Sequence, residues 1–158
     1  MPMLLTALIL AQSAMPMAHG AHGIETLEPV CVRAGDLPPA FRGWNMMPGT
    51  VLQPTVPVIA RARPAARTPW AVRPAKPGPG AVLRFSIARP GVYQIGLSNG
   101  AWVDVVRGRR ALAPIAHGHG PLCTGLRKIV DYRLVRGSYA LQLAAMPEPT
   151  TRVMLVRK

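Results

Sequence analysis

From Gly80 to its end the chain alternates apolar and polar residues with the two-residue period of half-buried β-strands. Leu83, Phe85 and Ile87 fall on one side and Arg84 and Ser86 on the other. Tyr93, Ile95 and Leu97 repeat the pattern, as do Val130, Tyr132 and Leu134, then Tyr139, Leu141 and Leu143. Val153 to Val156 predicts a last strand. No window beyond the first twenty or so residues keeps a 3.6-residue period. Ten prolines between residues 38 and 79 exclude long helices there, leaving short extended pieces at Thr50 to Gln53 and Val56 to Ile59. The predicted fold is all-β: a single jelly-roll-like β-sandwich of about seven to nine antiparallel strands.

The strands contain a weak internal repeat. Phe85-Ser-Ile-Ala-Arg-Pro-Gly91-Val-Tyr93-Gln-Ile95 parallels Tyr132-Arg-Leu-Val-Arg-Gly137-Ser-Tyr139-Ala-Leu141. Each copy reads as a β-hairpin, with glycine at the turn and an inward tyrosine starting the return strand. Residues 80–158 are therefore expected to form a hairpin-rich core. Residues 21–79 form a Pro-rich segment of the same domain.

Residues 1–20 read as a secretory signal peptide. Met3 to Leu10 is apolar, and Ala11-Gln12-Ser13 and Ala18-His19-Gly20 offer small-residue cleavage points. The apolar run is shorter than the ~20 residues that span a bilayer. The expected location is periplasmic or secreted. Cys31 and Cys123 fit an oxidising compartment and predict a disulfide. Such a bond closes a loop of about 90 residues and contributes roughly 4 kcal/mol in the chain-entropy picture.

The net charge of +13 first suggests nucleic acid. The basic residues, however, are spread from Arg33 to Lys158, apart from Arg107-Gly-Arg109-Arg110, and aromatics make up only 5%. Stacking platforms are thus scarce, and no nucleic acid is expected. Weak contact with anionic envelope surfaces fits better.

Chemistry concentrates in His117-Gly-His119-Gly-Pro-Leu-Cys123. Two imidazoles two residues apart can face one ion, and His-x-His suits Cu, Zn or Fe(II). A third ligand is needed. Asp104 is the first candidate, sharing a face with Trp102 while Val103 and Val105 point to the core; Asp131, Glu148, His19, His22 or a Met are others. The competing reading is a Gly-rich corner whose histidines bond backbone carbonyls. Arg127-Lys128 fits an anion-holding pair or a solvated strand entry. The motifs of serine hydrolases, zinc proteases and phosphate loops are absent from the sequence.

Ala101-Trp-Val-Asp-Val-Val, the Ala116 to Cys123 loop, Arg127-Lys-Ile-Val-Asp-Tyr-Arg-Leu and Gly137-Ser-Tyr-Ala-Leu-Gln-Leu together resemble a family of small exported alphaproteobacterial proteins. Cys31 and Trp44 fit its N-terminal half less tightly, and the resemblance covers most of residues 31–157. Members often carry the label homogentisate 1,2-dioxygenase. The resemblance implies a compact exported β-domain with this loop as a family feature. Homogentisate dioxygenases are larger cytosolic cupin enzymes holding Fe(II) with two His and one Glu. This chain departs from that pattern, having no Glu near its His pair. Three functions follow as expectations: an exported non-catalytic protein binding a ligand or metal through His117 and His119, an Fe(II) dioxygenase with Asp104 completing the triad, or a purely structural envelope protein.

Overall fold

Residues 35–158 are described by the computed structural model, and the alternation becomes nine β-strands among them. They are β1 Val58–Arg61, β2 Ala81–Ile87, β3 Gly91–Leu97, β4 Trp102–Arg107, β5 Arg110–Leu112, β6 Ala116–His119, β7 Lys128–Leu134, β8 Gly137–Ala144 and β9 Thr150–Arg157. Two antiparallel sheets result, one ordered β1-β9-β3-β7-β6 and the other β2-β8-β4-β5. The β-sandwich is as expected. The leader and Cys31 lie outside the described residues. Between residues 35 and 80 the helical content is two 3-10 turns, Pro39–Phe41 and Ala65–Arg67, as the prolines require. Of the extended pieces predicted there, Val58 and Ile59 open β1, while Gln53 makes only an isolated bridge to Val56.

The core lies between the sheets. Ile95, Leu97, Val105, Leu141, Leu143, Val153 and Leu155 are fully enclosed there, each contributing roughly 1.5–3 kcal/mol through burial. Val103 and Val105 join it, as their alternation predicts.

The repeat is real, but it does not build hairpins. β2 pairs with β8 and β3 with β7, while β2 and β3 belong to different sheets, as do β7 and β8. Each copy is an arch that carries the chain roughly 10 Å from one sheet to the other. Its strands meet through side chains rather than backbone hydrogen bonds. The two copies clasp each other: Phe85 stacks on its cross-strand partner Tyr139, with centroids 5.4 Å apart. The shared tyrosine closes each arch. Tyr93 donates its hydroxyl to the Arg89 carbonyl and Tyr139 to the Val135 carbonyl, both at 2.8 Å. Gly137, at φ +147°, makes the second bend in a backbone conformation that side chains resist. The hairpins of this region are β4–β5, with Gly108-Arg109 at the turn, and β6–β7, with the longer 120–127 connection.

The Pro-rich segment wraps both outer faces. Phe41 and Trp44 pack edge to face, 6.4 Å apart, on the outside of the five-stranded sheet with Leu126, Met154 and Val156. Gly96 makes this approach feasible, since a Cβ there would stand 2.5 Å from Phe41. A strap of residues 62–80 crosses the outside of the four-stranded sheet. Gln142, fully enclosed on that face, accepts the Ala71 and Val72 N–H groups at 2.6 and 3.0 Å and donates to the Val72 carbonyl at 3.1 Å.

A candidate ligand cleft at the sandwich edge

The His-Gly-His segment is an edge strand, β6, rather than a loop. It hydrogen-bonds to β7, with His117 opposite Val130 and His119 opposite Lys128. Val130 belongs to the core, so the His117 side of β6 is the inner face of its sheet, at an edge the other sheet leaves open. Both histidines are exposed. A Cβ at Gly118 would touch nothing within 4 Å.

Along this edge lies a cleft of about 270 Å³, walled by Trp102, Val103, Pro114 and Val130 and carrying the polar groups of Asp104, His117 and Lys128. β4 supplies Trp102 and Asp104, whose side chains share a face as predicted. The Asp104 Oδ1 accepts the Trp102 indole N–H at 2.9 Å. That bond fixes the indole and orients the carboxylate. Tyr132 donates its hydroxyl to the Val103 carbonyl at 3.1 Å beneath this wall. Burial, then the negative charge of Asp104, raises the Tyr132 phenol above its ordinary value.

The basic pair Arg127-Lys128 divides between the two roles expected of it. Arg127 is exposed, as a solvated entry residue would be, but Lys128 is half-buried. Its ammonium donates to the Ala101 carbonyl at 2.9 Å and lies 5.9 Å from the centre of the Trp102 ring. Lys76, from the strap, places a second ammonium 4.9 Å from the same ring. Burial, and then repulsion from Lys76, hold the Lys128 ammonium below the usual lysine range. The signal in the sequence was the alternation itself, which sets residue 128 on the inward side with Val130. Its neighbours are Trp102, which opens β4 in the other sheet, and Ala101 just before it, and no local pattern announces them.

The proposed triad of His117, His119 and Asp104 does not converge. Asp104 and His117 share the cleft, but His119 borders a separate depression with Pro121, Leu122 and Cys123. Residues i and i+2 share a face yet stand about 6.6 Å apart along a strand, and here that rise carries His119 past the cleft. Among the described residues no three His, Cys, Asp or Glu side chains group as metal ligands. Asp131 is on the opposite face, held by Gln94 Nε2 and Lys158 Nζ at 3.0 Å each. Glu148 is exposed in the β8–β9 connection, and His19 and His22 lie outside the described residues.

Cys123, at φ +63°, sits in the 120–127 connection and is not a free thiol. Thr124 braces this connection by donating its hydroxyl to the Pro121 carbonyl at 2.7 Å. The Gly35 N–H donates to the Leu122 carbonyl at 2.9 Å, so the chain just after the early cysteine meets the connection carrying the later one. No protein-family profile, curated protein or solved structure matches this chain.

Proposed function

We propose that this is an exported, non-catalytic β-sandwich protein that binds a small carboxylate with an apolar or aromatic body in the β4–β6 cleft. The observation that carries the reading is Lys128. An ammonium half-withdrawn from water beside an indole gains from an anionic partner what it has lost in hydration. Trp102, Val103, Pro114 and Val130 supply the apolar surface for the ligand body, and His117 stands at the mouth. Export is supported by the apolar leader, and a Cys31–Cys123 disulfide belongs to the same proposal: the chain has two cysteines, and the Gly35–Leu122 contact brings residue 35 to the connection that carries Cys123.

Phenylacetate serves as the probe. Lys128→Met weakens its binding roughly tenfold to hundredfold, the range for losing a charge-assisted hydrogen bond. His117→Ala weakens it less, and His119→Ala leaves it unchanged. Equal loss from His117→Ala and His119→Ala, with Lys128→Met neutral, would sink this reading and favour one centred on the histidine pair.

One observation favours a metal variant: Asp104 and His117 do face one cleft. It predicts that Cu, Zn or Fe(II) binding depends on Asp104 and His117 but not on His119. The dioxygenase version adds Fe(II)-dependent oxygen uptake with homogentisate. Absence of uptake by iron-loaded protein removes that version and leaves the carboxylate reading in place.

A further inference from the structure

Basic residues scattered along the sequence are collected by the topology at one end of the sandwich. Register places both arches, the β4–β5 turn and the close of β9 at that end: Ile87 lies opposite Gly137, Gly91 opposite Leu134, Val106 opposite Ala140 and Tyr93 opposite Arg157. Arg89 and Arg136 sit in the bends of the two arches: the Arg89 carbonyl accepts the Tyr93 hydroxyl, and the Arg136 carbonyl accepts from the Arg107 guanidinium at 3.4 Å. Arg109 sits in the β4–β5 turn with Arg107 and Arg110 on either side, and Arg157 ends β9 at the same end, with Lys158 just after it. All seven are exposed.

Little opposes this charge. Among the described residues the acids are Asp36, Asp104, Asp131 and Glu148. Asp36 and Glu148 adjoin connections at the far end, Asp104 faces the cleft, and Asp131 is already paired with Lys158. From the basic end a groove of about 780 Å³ runs over the part of the four-stranded sheet that the strap leaves bare. Its floor carries Arg84 and the Ser86 and Ser138 hydroxyls, 3.4 Å apart across β2 and β8, and Gln53 stands on its wall.

We propose that this end and its groove bind an extended anionic polysaccharide. Guanidinium forks match sugar carboxylates in shape and charge, and exposed serine and glutamine groups offer partners for sugar hydroxyls. The tyrosines at this end, Tyr93 and Tyr139, have buried rings and offer no platform for stacking bases, which disfavours single-stranded nucleic acid. A groove suits a chain better than a flat bilayer. The surface is separate from the β4–β6 cleft, so either proposal can fail alone.

The test uses the full chain and polygalacturonate at about 0.1 M salt, where the screening length is about 10 Å. Reversing Arg89, Arg109 and Arg136 to Glu weakens binding by roughly tenfold or more, with a shallower salt dependence. The control reverses Arg61, Arg63 and Arg67, exposed residues at the far end, for the same change in net charge. It weakens binding by less than about threefold, since screening limits charges so far away. Ser86→Tyr fills the groove without altering charge and also weakens binding. Equal losses in the two triple variants overturn the proposal, because net charge alone then explains adhesion. Tighter binding of single-stranded DNA or phosphatidylglycerol vesicles than of polygalacturonate, with the same variant dependence, also overturns it in favour of that partner.

Discussion

The two outer faces of the sandwich are covered by neighbouring stretches of one Pro-rich segment, but by different means. Over the five-stranded sheet the seal is mainly apolar: Phe41 and Trp44 sit on Gly96 with Leu126, Met154 and Val156, and only at its margin does Arg152 donate to the Trp44 and Met46 carbonyls, at 3.1 Å each. Over the four-stranded sheet the strap is pinned by polar contacts, three hydrogen bonds to Gln142 and the Lys76 ammonium over Trp102. An apolar seal excludes water along its whole length. A polar pin holds at points, so the groove and the lysine-lined cleft stay open beside it. The groove and the cleft lie on the second face and the edge next to it, while the first face contributes stability.

Substitutions can break that contrast, and the largest effect belongs to the apolar seal. Phe41→Ala removes a fully enclosed ring and lowers unfolding stability by about 3–5 kcal/mol, measured by denaturant titration. Gln142→Ala strands the Ala71 and Val72 N–H groups and costs about 1–3 kcal/mol. Amide exchange should quicken at residues 71 and 72 while β3 and β9 keep their protection. If exchange quickens equally in all strands, the strap is part of the global fold rather than a pinned cover.

Smaller effects test the arches and the cleft wall. Tyr139→Phe and Tyr93→Phe each cost about 1 kcal/mol, Tyr139 more because its oxygen also accepts the Val135 N–H at 3.1 Å. Tyr132 supplies a pH signature. Its phenol is raised in the folded state, so its contribution is intact below about pH 10, where the unfolded chain's tyrosine ionises, and is lost as pH rises beyond. Tyr132→Phe should flatten that alkaline limb. The smallest effect is electrostatic: Lys76→Met moves the Lys128 titration, followed by NMR, upward toward the ordinary lysine value.

Period-two alternation made the inward residues legible, because the face a strand residue takes is a property of the local chain. Trp102 and Asp104 were placed correctly against Val103 and Val105 on that ground alone. Pairing was not legible: Arg-Pro-Gly and Arg-Gly bends serve an arch as well as a hairpin, and only the packing of whole sheets decides between them. For the same reason the His117–His119 pair looked like one site. Spacing gives the shared face of two imidazoles, but the reach of Asp104 across the sandwich to one of them depends on sheet placement. The burial of Lys128 was hidden likewise, since it comes from Trp102 in the opposite sheet and Ala101 just before it.

The central claim is that the β4–β6 cleft, centred on Lys128 and Trp102, is a ligand site. Its most direct test is a two-dimensional NMR titration of the full-length protein with phenylacetate. The account predicts saturable shifts at the Trp102 indole N–H, the Lys128 ammonium and His117, with His119 and residues 122–125 unmoved. Saturable shifts confined to His119 and residues 122–125, or none at Trp102 and Lys128 at millimolar phenylacetate, would contradict it.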